Sequence, residues 1–581
     1  MEEKETSNLL KKLIILGIIF NIFLFGILPL IYLSQRREVP SIPRDPIYFG
    51  SKYIAKDIDP HYCSNCSAIN AITMVWEGLL AINFSHPEMT LYPLLATDLG
   101  TYDATGTELT FNLKMGVRFH DGIHFNADAV VWSFNRLHYL MNVSGTLPNT
   151  VLYNRPTIIR TLYEWPDGTP IINHTEAVNN TRVKFVLNRP YGPFRALLTF
   201  PASAILSPFS TPQLDYINPA EVDVPGAGNP LSIYGPCIGT GPMMIEKLET
   251  YEVRFYAFQD YHQPMMNFDV LVHIKIQDDD VRNMYLISGM INFITDPSPE
   301  YLEAIEAEEE VTLYEAGYDA TIQYLGFNNK LYNTTWRKAI SWSLDYESII
   351  NQILKGEAIR LKSPIPLGIL FANWSFSTPI LNFTKARQYM NQMGYGIGFT
   401  SDAEWETVAA SSTPFLTLNY TYNLDNEFQK EVHLLLQNNL SKIGVKVIDA
   451  GMTEEEYIDR LSNERKLSAG WDALQLFWTG WWPYFNDPST YINSLMSNTS
   501  LSNSAQINDP TLEDYILIGL QETDQNKRKQ LYWDLQRYVV EELCPFAFCY
   551  VEKNYDAWDK DLHGFPSNAM EIPYFYPCYW V

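Results

Sequence analysis

Basic residues are scarce in this chain. Only 41 Lys and Arg stand against 67 Asp and Glu, for a formal charge of −26. A surface of that sign repels phosphate backbones, which excludes nucleic acid as a partner. Charged residues of both signs make up only 19% of the sequence and hydrophobic residues 46%, so a disordered, collagen-like or coiled-coil chain is excluded as well. No segment repeats at a period of 20–50 residues, and no low-complexity tract occurs. Catalytic signatures are missing too: there is no H-E-x-x-H, no G-x-S-x-G elbow and no Walker loop. The chain is therefore read as a non-enzyme with no cofactor and no metal. Aromatic residues are abundant, at 14% with 37 Tyr and 14 Trp. Its 581 residues suffice for more than one core, and for up to about four units.

One long uncharged run stands out. Leu13 to Leu33 is bounded by Lys11-Lys12 and Arg36-Arg37 and matches the thickness of a bilayer. No small-residue cleavage site follows it, so an uncleaved anchor is expected rather than a signal peptide. Residues 1–12 then form a cytoplasmic tail, and 34–46, with Pro40, Pro43 and Pro46, an extended spacer. Lysines and arginines flank the anchor almost equally, so charge leaves its orientation open. Two features place the bulk outside the cell. Asn-x-Ser/Thr sequons occur at Asn65, Asn83, Asn142, Asn173, Asn179, Asn333, Asn373, Asn382, Asn419, Asn439 and Asn498, and suit a glycoprotein. The six cysteines, at 63, 66, 237, 544, 549 and 578, are an even number compatible with extracellular disulfides of undetermined pairing.

Strand and helix signals alternate through the rest. Leu109, Phe111 and Leu113 lie on one face of a strand. Asn126 is placed to cap a helix beginning at Ala127, with Asp128 in its first turn. Leu416, Leu418 and Tyr420 alternate as a strand. A helix follows, with Phe428, Val432, Leu435, Leu436 and Ile443 as its apolar positions; Gly444 stops it and Val445–Val447 resume as a strand. Strand, helix, Gly, strand is a βαβ unit with parallel strands. Trp336–Leu344 and Tyr346–Leu354 read as two helices, with Asp345 between them as a cap. The fold class is α/β, with mixed sheets in more than one lobe.

Several clusters were weighed for chemistry. Gly239-Thr240-Gly241-Pro242 lacks the third glycine of a phosphate cradle and reads as a tight turn. Cys63-Ser64-Asn65-Cys66 reads as a local structural disulfide rather than half of a zinc site. His120-Asp121-Gly122-Ile123-His124 carries metal-competent side chains. Gly122 makes it a turn, however, so metal binding is not expected. Runs such as Glu308-Glu309-Glu310 are solvated faces. The aromatic crowd of Trp471, Phe477, Trp478, Trp481, Trp482, Tyr484 and Phe485, followed by Asn486-Asp487-Pro488, is more telling. Its Gly-Trp-Trp-Pro run reads as a loop, and aromatics on loops commonly meet a ligand. Core packing is the competing reading. Trp478, Trp481, Trp482, Tyr484, Phe485 and Asp487 are the candidate ligand contacts.

The stretch LTFNLKMGVRFHDGIHFNADAVVWSFNRL, from Leu109 to Leu137, resembles the signature of family 5 solute-binding proteins. These are the extracellular peptide- and nickel-binding receptors of ABC importers. The signature places are filled by Gly116, Val117, Phe119, His120, Asp121, Gly122, Phe125, Ala127, Asp128, Val130, Ser133 and Arg136. Asp59-Pro60, Glu77-Gly78-Leu79, Gly239–Pro242, Phe327-Asn328, Trp336–Ile340 and Asp345 also resemble family elements. The resemblance implies a two-lobed, periplasmic-binding-protein-like fold closing over a ligand. Lobe I would be 47–318 plus 549–581, with a subdomain at about 91–229, and lobe II 319–548; hinges would lie near Gly317–Thr321 and Phe546–Val551. It further implies an oligopeptide ligand, an ABC permease and ATPase as partners, and attachment to the cell membrane with the large domain outside. One position departs from the pattern. In peptide-binding relatives an Asp four residues before the Pro pairs with the ligand's α-amino group, and here Tyr484 occupies that place. Asp487 is the nearby substitute; an oligosaccharide ligand, or a surface glycan or peptide hydrolase, are the alternatives.

Overall fold

The computed structural model describes residues 46–54, 58–62, 72–86, 88–141, 157–209, 238–463 and 474–581. The expected tail, the anchor at 13–33, most of the spacer, Cys63, Cys66, Cys237, Asn65, Asn142 and Trp471 fall outside these residues. Among the described residues, no helix is long and apolar enough to cross a membrane.

The chain enters as strand β1 (Pro46–Ser51) and then forms a short hairpin of β2 (Leu80–Ile82) and β3 (Leu91–Pro93). Strands β4 (Thr101–Tyr102), β5 (Glu108–Asn112), β6 (Ile172–Asn179) and β7 (Arg182–Leu187) make a separate antiparallel sheet, in the order β4-β5-β7-β6. Helix α1 (Ala127–Leu140) covers it. As the sequence predicts, Asn126 caps this helix, its side chain accepting from Ala129 N at 3.0 Å. Val130, Phe134 and Leu137 are buried, with Phe134 edge-on to Phe185 of β7. Each such ring or aliphatic chain contributes about 2 kcal/mol by leaving water.

Strands β8 (Met243–Leu248), β9 (Glu252–Ala257) and β10 (Val270–Lys275) form an antiparallel edge, followed by β11 (Phe293–Thr295) and β12 (Val311–Tyr318). The second half begins with β13 (Ile322–Phe327), helix α2 (Thr334–Ser341) and β14 (Ala358–Arg360). Next comes the expected βαβ unit: β15 (Leu416–Thr421), α3 (Glu427–Ser441) and β16 (Val445–Asp449), with β15 and β16 parallel from Leu416↔Val445 to Tyr420↔Asp449. Strand β17 (Leu476–Trp481) precedes helices α4 (Ser489–Met496), α5 (Pro510–Gln521) and α6 (Gln525–Arg537), and β18 (Phe546–Asp559) returns. Asp345 accepts from Ser348 N, as predicted for a cap. The helix it opens is only Tyr346–Ser348, running on as a wider π-turn over Ile349–Ile353.

One twelve-stranded sheet ties these parts together, in the order β16-β15-β17-β13-β18-β11-β1-β10-β9-β8, with β12 and β14 also on β18. Strand β18 is fourteen residues long and serves both halves. Its first part, Phe546–Tyr550, pairs with β13, and its later part, Lys553–Asp559, pairs with β12. The step from β12 to β13, at Asp319–Thr321, is therefore where the chain passes from one half to the other. The second half has its own core around Leu418, Tyr420, Val432, Leu436, Val445 and Trp478.

Two signature residues turn out to be structural. Arg136 on α1 donates to Asp59 and to His61 Nδ1, all fully or nearly fully buried. Burial drives the Asp59 carboxyl up, but the Arg136 guanidinium outweighs it and holds it below the usual carboxylate range. His120 likewise holds a turn. Its Nε2 lies 2.9 Å from Gly241 O, and Gly239 N donates to its Nδ1 at 3.3 Å, so both ring nitrogens anchor the Gly-Thr-Gly-Pro turn. Among the described residues no group of His, Cys, Asp and Glu could hold a metal ion. Extracellular disulfides do not extend to Cys544, Cys549 and Cys578, which are free and buried. Burial pushes the Cys549 thiol up to about 12, so it is an inert packing group.

Candidate functional site

The two halves face each other across the segment that follows β17. The sequence reads Gly480-Trp481-Trp482-Pro483 as a loop, but β17 runs through Trp481 in register with β13, from Leu476↔Phe327 to Trp481↔Ile322. Thr479 and Gly480 interrupt its apolar residues, so Leu476–Trp481 shows neither clean alternation nor a helical period. The loop begins only at Trp482.

The six candidate contacts separate on this frame. Trp478 is 1% exposed and packs edge-on to Phe428 inside the second half. Phe485 is equally buried, in the larger core. Asp487 accepts two hydrogen bonds from Arg528 of α6, at 2.6 and 2.8 Å, with both residues buried. Trp478 and Phe485 are inside the protein, whereas Asp487, though buried, is among the residues lining the larger groove. Trp481, Trp482 and Tyr484 remain half-buried between the halves. The Tyr484 ring meets Phe200 at 5.9 Å, and Trp482 Nε1 donates to Met570 O at 3.1 Å. Trp481 Nε1 donates to Thr490 O at 2.8 Å. Both indole N–H groups are thus engaged, leaving ring faces and edges as what these residues offer.

Asn486 completes the loop. Its side chain donates to Glu88 O and Met89 O across the gap and accepts from Leu370 N at 2.9 Å. No local pattern marks this role, since the partners of Asn486 lie about 400 and 116 positions away. On either side of Asn486 there is space. A small pocket of about 80 Å³ lies under Tyr484, between β2, Phe84, Tyr92 and Tyr574. A groove of about 760 Å³ opens on the other side, walled by Thr90, Tyr102, Arg195, Phe371, Lys529 and Trp533. That volume falls in the usual range for small-molecule ligands. A third cavity, of about 670 Å³ near Asn329, Asn498 and Gln506, lies wholly within the second half and shares no residue with the interface.

Charge is unevenly distributed around this space. Glu77, which ends the first half's buried approach to β2, accepts from Thr240 Oγ1 at 2.8 Å, Tyr261 Oη at 2.7 Å and His262 Nε2 at 2.8 Å. Five carboxylates gather where the halves join: Asp296, Asp319, Glu552, Asp556 and Glu571. Burial pushes Asp319 up to about 6 and Asp556 up to about 7, and nearby Asp296 adds to both. Glu552 rises to about 7 through burial and its neighbours Asp296 and Asp319. Burial and the other four carboxylates also raise Glu571, which sits between Met570, the partner of Trp482, and Ile572, a wall of the small pocket. Across the groove, Arg195 and Lys529 are positive. None of the five carboxylates lines the groove or the small pocket; the groove's own charged residues are Glu88, Asp487, Arg195, Arg528 and Lys529.

With two halves joined through a shared sheet and an aromatic loop between them, the architecture is that of a two-lobed binding protein. The profile of the family described as bacterial extracellular solute-binding proteins, family 5, matches residues 90–503, and the chain belongs to that family. Among curated relatives, the heme-binding protein A of Haemophilus influenzae is 25% identical over 479 residues, 79% of this chain and 78% of that one. A probable D,D-dipeptide-binding periplasmic protein of Escherichia coli, DdpA, is 26% identical over 487 residues, 80% of each chain. The periplasmic binding protein DppA from Helicobacter pylori, solved with the peptide STSA, superposes with a TM-score of 0.71 at 21% identity, covering 92% of this chain and 98% of that one. The two-lobed α/β fold is thereby established. The relatives named are binding proteins, which agrees with the lack of a catalytic signature.

Proposed function

We propose that this protein is the receptor of an ABC importer and captures an oligopeptide between its two lobes. Lobe I would comprise 47–318 and 549–581, lobe II 319–548, with the hinge at Asp319–Thr321 and the facing stretch of β18. Residues 13–33 would anchor the chain, leaving the lobes outside to deliver ligand to a permease. The observation carrying this reading is the groove of about 760 Å³, lined on one side by Thr90, Tyr102 and Arg195 and on the other by Phe371, Asp487 and Trp533, with Tyr484 over the smaller pocket near it. The rings of Phe371 and Trp533 on one wall and the β3 end at Thr90 and Leu91 on the other suit an extended chain gripped through its backbone, with side chains lying in open space. Tyr484 cannot supply a negative partner for an α-amino group, and Asp487 is already engaged by Arg528.

A ligand that touches both lobes stabilises their approach by its differential affinity for the approached state. The test is titration calorimetry of the chain with a tripeptide and tetrapeptide mixture, with small-angle scattering on the same samples. Binding at micromolar Kd or tighter, with a smaller radius of gyration, is expected. Replacing Trp482 and Tyr484 together with Ala should weaken binding at least tenfold, or about 1.4 kcal/mol. Unchanged affinity would mean that the rings only pack. Release of cleaved fragments during titration would turn the reading toward a hydrolase.

A further inference from the structure

The sequons are the motif that the binding function leaves unused, and the structure sorts them by what each asparagine is doing. Asn439 is 5% exposed on the inner side of α3. Asn419 lies in the middle of β15, paired with Ile448 of β16. The Asn173 side chain donates its Nδ2 to Asn188 Oδ1 at 2.7 Å, and Asn498 donates to Asn508 at 3.4 Å. Asn83 is half-buried beside Phe84, a wall of the small pocket. Asn333 and Asn382 are helix caps, so the threonine each motif requires lies within the first turn of a helix. Asn373 is half-buried, its backbone N–H bonded to Gln536.

Ser375 also donates to Asn373 Oδ1, from N at 3.0 Å and from Oγ at 2.7 Å; Asn179 has the same contact from its own motif but is exposed and caps no helix. It is exposed at the end of β6, in the tight hairpin to β7 where Asn179 pairs with Arg182. Thr181, the hydroxyl residue of its motif, donates to Asn179 Oδ1 twice, from N at 2.9 Å and from Oγ1 at 3.2 Å. The oxygen is thus held toward the chain, and Nδ2 is the atom turned to solvent with the threonine hydroxyl beside it. The turn itself is fixed from behind: Asn180 O accepts from Ala127 N at 3.0 Å and Thr181 O from Leu113 N at 2.9 Å. An added group on Nδ2 would therefore meet water and disturb neither the hairpin nor α1. The cleft is elsewhere, since neither the small pocket nor the groove includes a residue of this hairpin.

We propose that Asn179 is an N-glycosylation acceptor. Its Nδ2 forms a bond to C1 of a saccharide carried on a membrane lipid phosphate. The bond from C1 to the phosphate oxygen breaks, and the lipid phosphate leaves as the amide gives up one proton to the surrounding base. The assignment rests on the extracellular location of the family and on no particular ligand. It is tested on the full chain purified from membranes of the organism that makes it, by mass spectrometry of the tryptic peptide ending at Arg182. A saccharide mass on Asn179 is expected. Thr181→Ala should abolish it, Thr181→Ser should retain it, and peptide binding should be the same in all three proteins. An unmodified Asn179 overturns the assignment, as does modification of the buried Asn439 in folded protein. Protease shaving of intact cells, done in parallel, shows whether the lobes are outside, so that a failed assignment can be told apart from a failed receptor reading.

Discussion

Two buried arginines, Arg136 and Arg528, each have a single carboxylate partner held by two hydrogen bonds. Removing one member of such a pair strands a charge in low dielectric, at a cost of about 3–5 kcal/mol. Asp487→Ala should therefore lower unfolding free energy by about that amount in urea titration. A selective loss of affinity at unchanged stability would instead make Asp487 a ligand contact, the role its neighbourhood in the sequence suggested. Asp59→Ala should behave in the same way. Nothing in the local sequence distinguished these roles, because Arg528 stands 41 positions from Asp487 and Arg136 stands 77 from Asp59.

Among elements, those legible in the sequence are the ones whose pattern is local. The βαβ unit from Leu416 to Asp449 could be read because Leu418, Val432, Leu436 and Val445 keep strand and helix periods, with Gly444 between them at φ +74°. α1 could be read from Asn126 and its apolar face, and replacing that cap with Ala should cost about 1 kcal/mol. β17 was misread as a loop since its neighbours β13 and β15 come from far along the chain, and only they make Trp478 a core residue. The two tryptophans should accordingly respond differently. Trp478→Ala should destabilise by about 3–5 kcal/mol as a cavity forms. Trp482→Ala should leave the melting temperature nearly unchanged and weaken binding. Equal melting losses in both would place Trp482 in the core as well.

At the scale of the molecule, the junction between lobes was not legible at all. Its five carboxylates come from the end of β11, the β12–β13 step, β18 and the segment after it, and each looks like an ordinary acid in sequence. Together they make stability depend on pH in a definite direction. Asp319 and Asp556 titrate near 6 and 7 when folded, against about 3.9 for an unperturbed Asp. The folded chain thus holds protons that the unfolded chain has lost. Stability from these groups is full below about pH 4, falls as pH rises, and is lowest above about pH 7. Arg282 and Lys52 oppose the effect only at Asp296. Asp556→Asn should raise the melting temperature at pH 8, by about 2 kcal/mol of stability, and leave it unchanged at pH 4. A gain of the same size at both pH values would contradict the buried-carboxylate account.

Lobe contact away from the ligand loop depends on one residue without a side chain. Gly192 N donates to Leu520 O at 2.7 Å, joining the loop after β7 to the end of α5. A Cβ at this position would lie 2.2 Å from Glu522 O and 3.0 Å from Arg528 Nε. The first of these atoms is backbone and cannot swing away, and Arg528 is fixed by Asp487. An alanine here must shift the loop after β7 from the end of α5, because Tyr191 and Phe194 on either side are buried and hold the loop in place. Gly192→Ala should therefore increase the radius of gyration of the liganded protein and weaken ligand binding about tenfold, or about 1.4 kcal/mol. Tyr191, Phe194, Leu520 and Tyr532 share one core here, so the urea midpoint should fall as well. If scattering and affinity both match the parent protein, lobe contact at Gly192 plays no part in holding ligand.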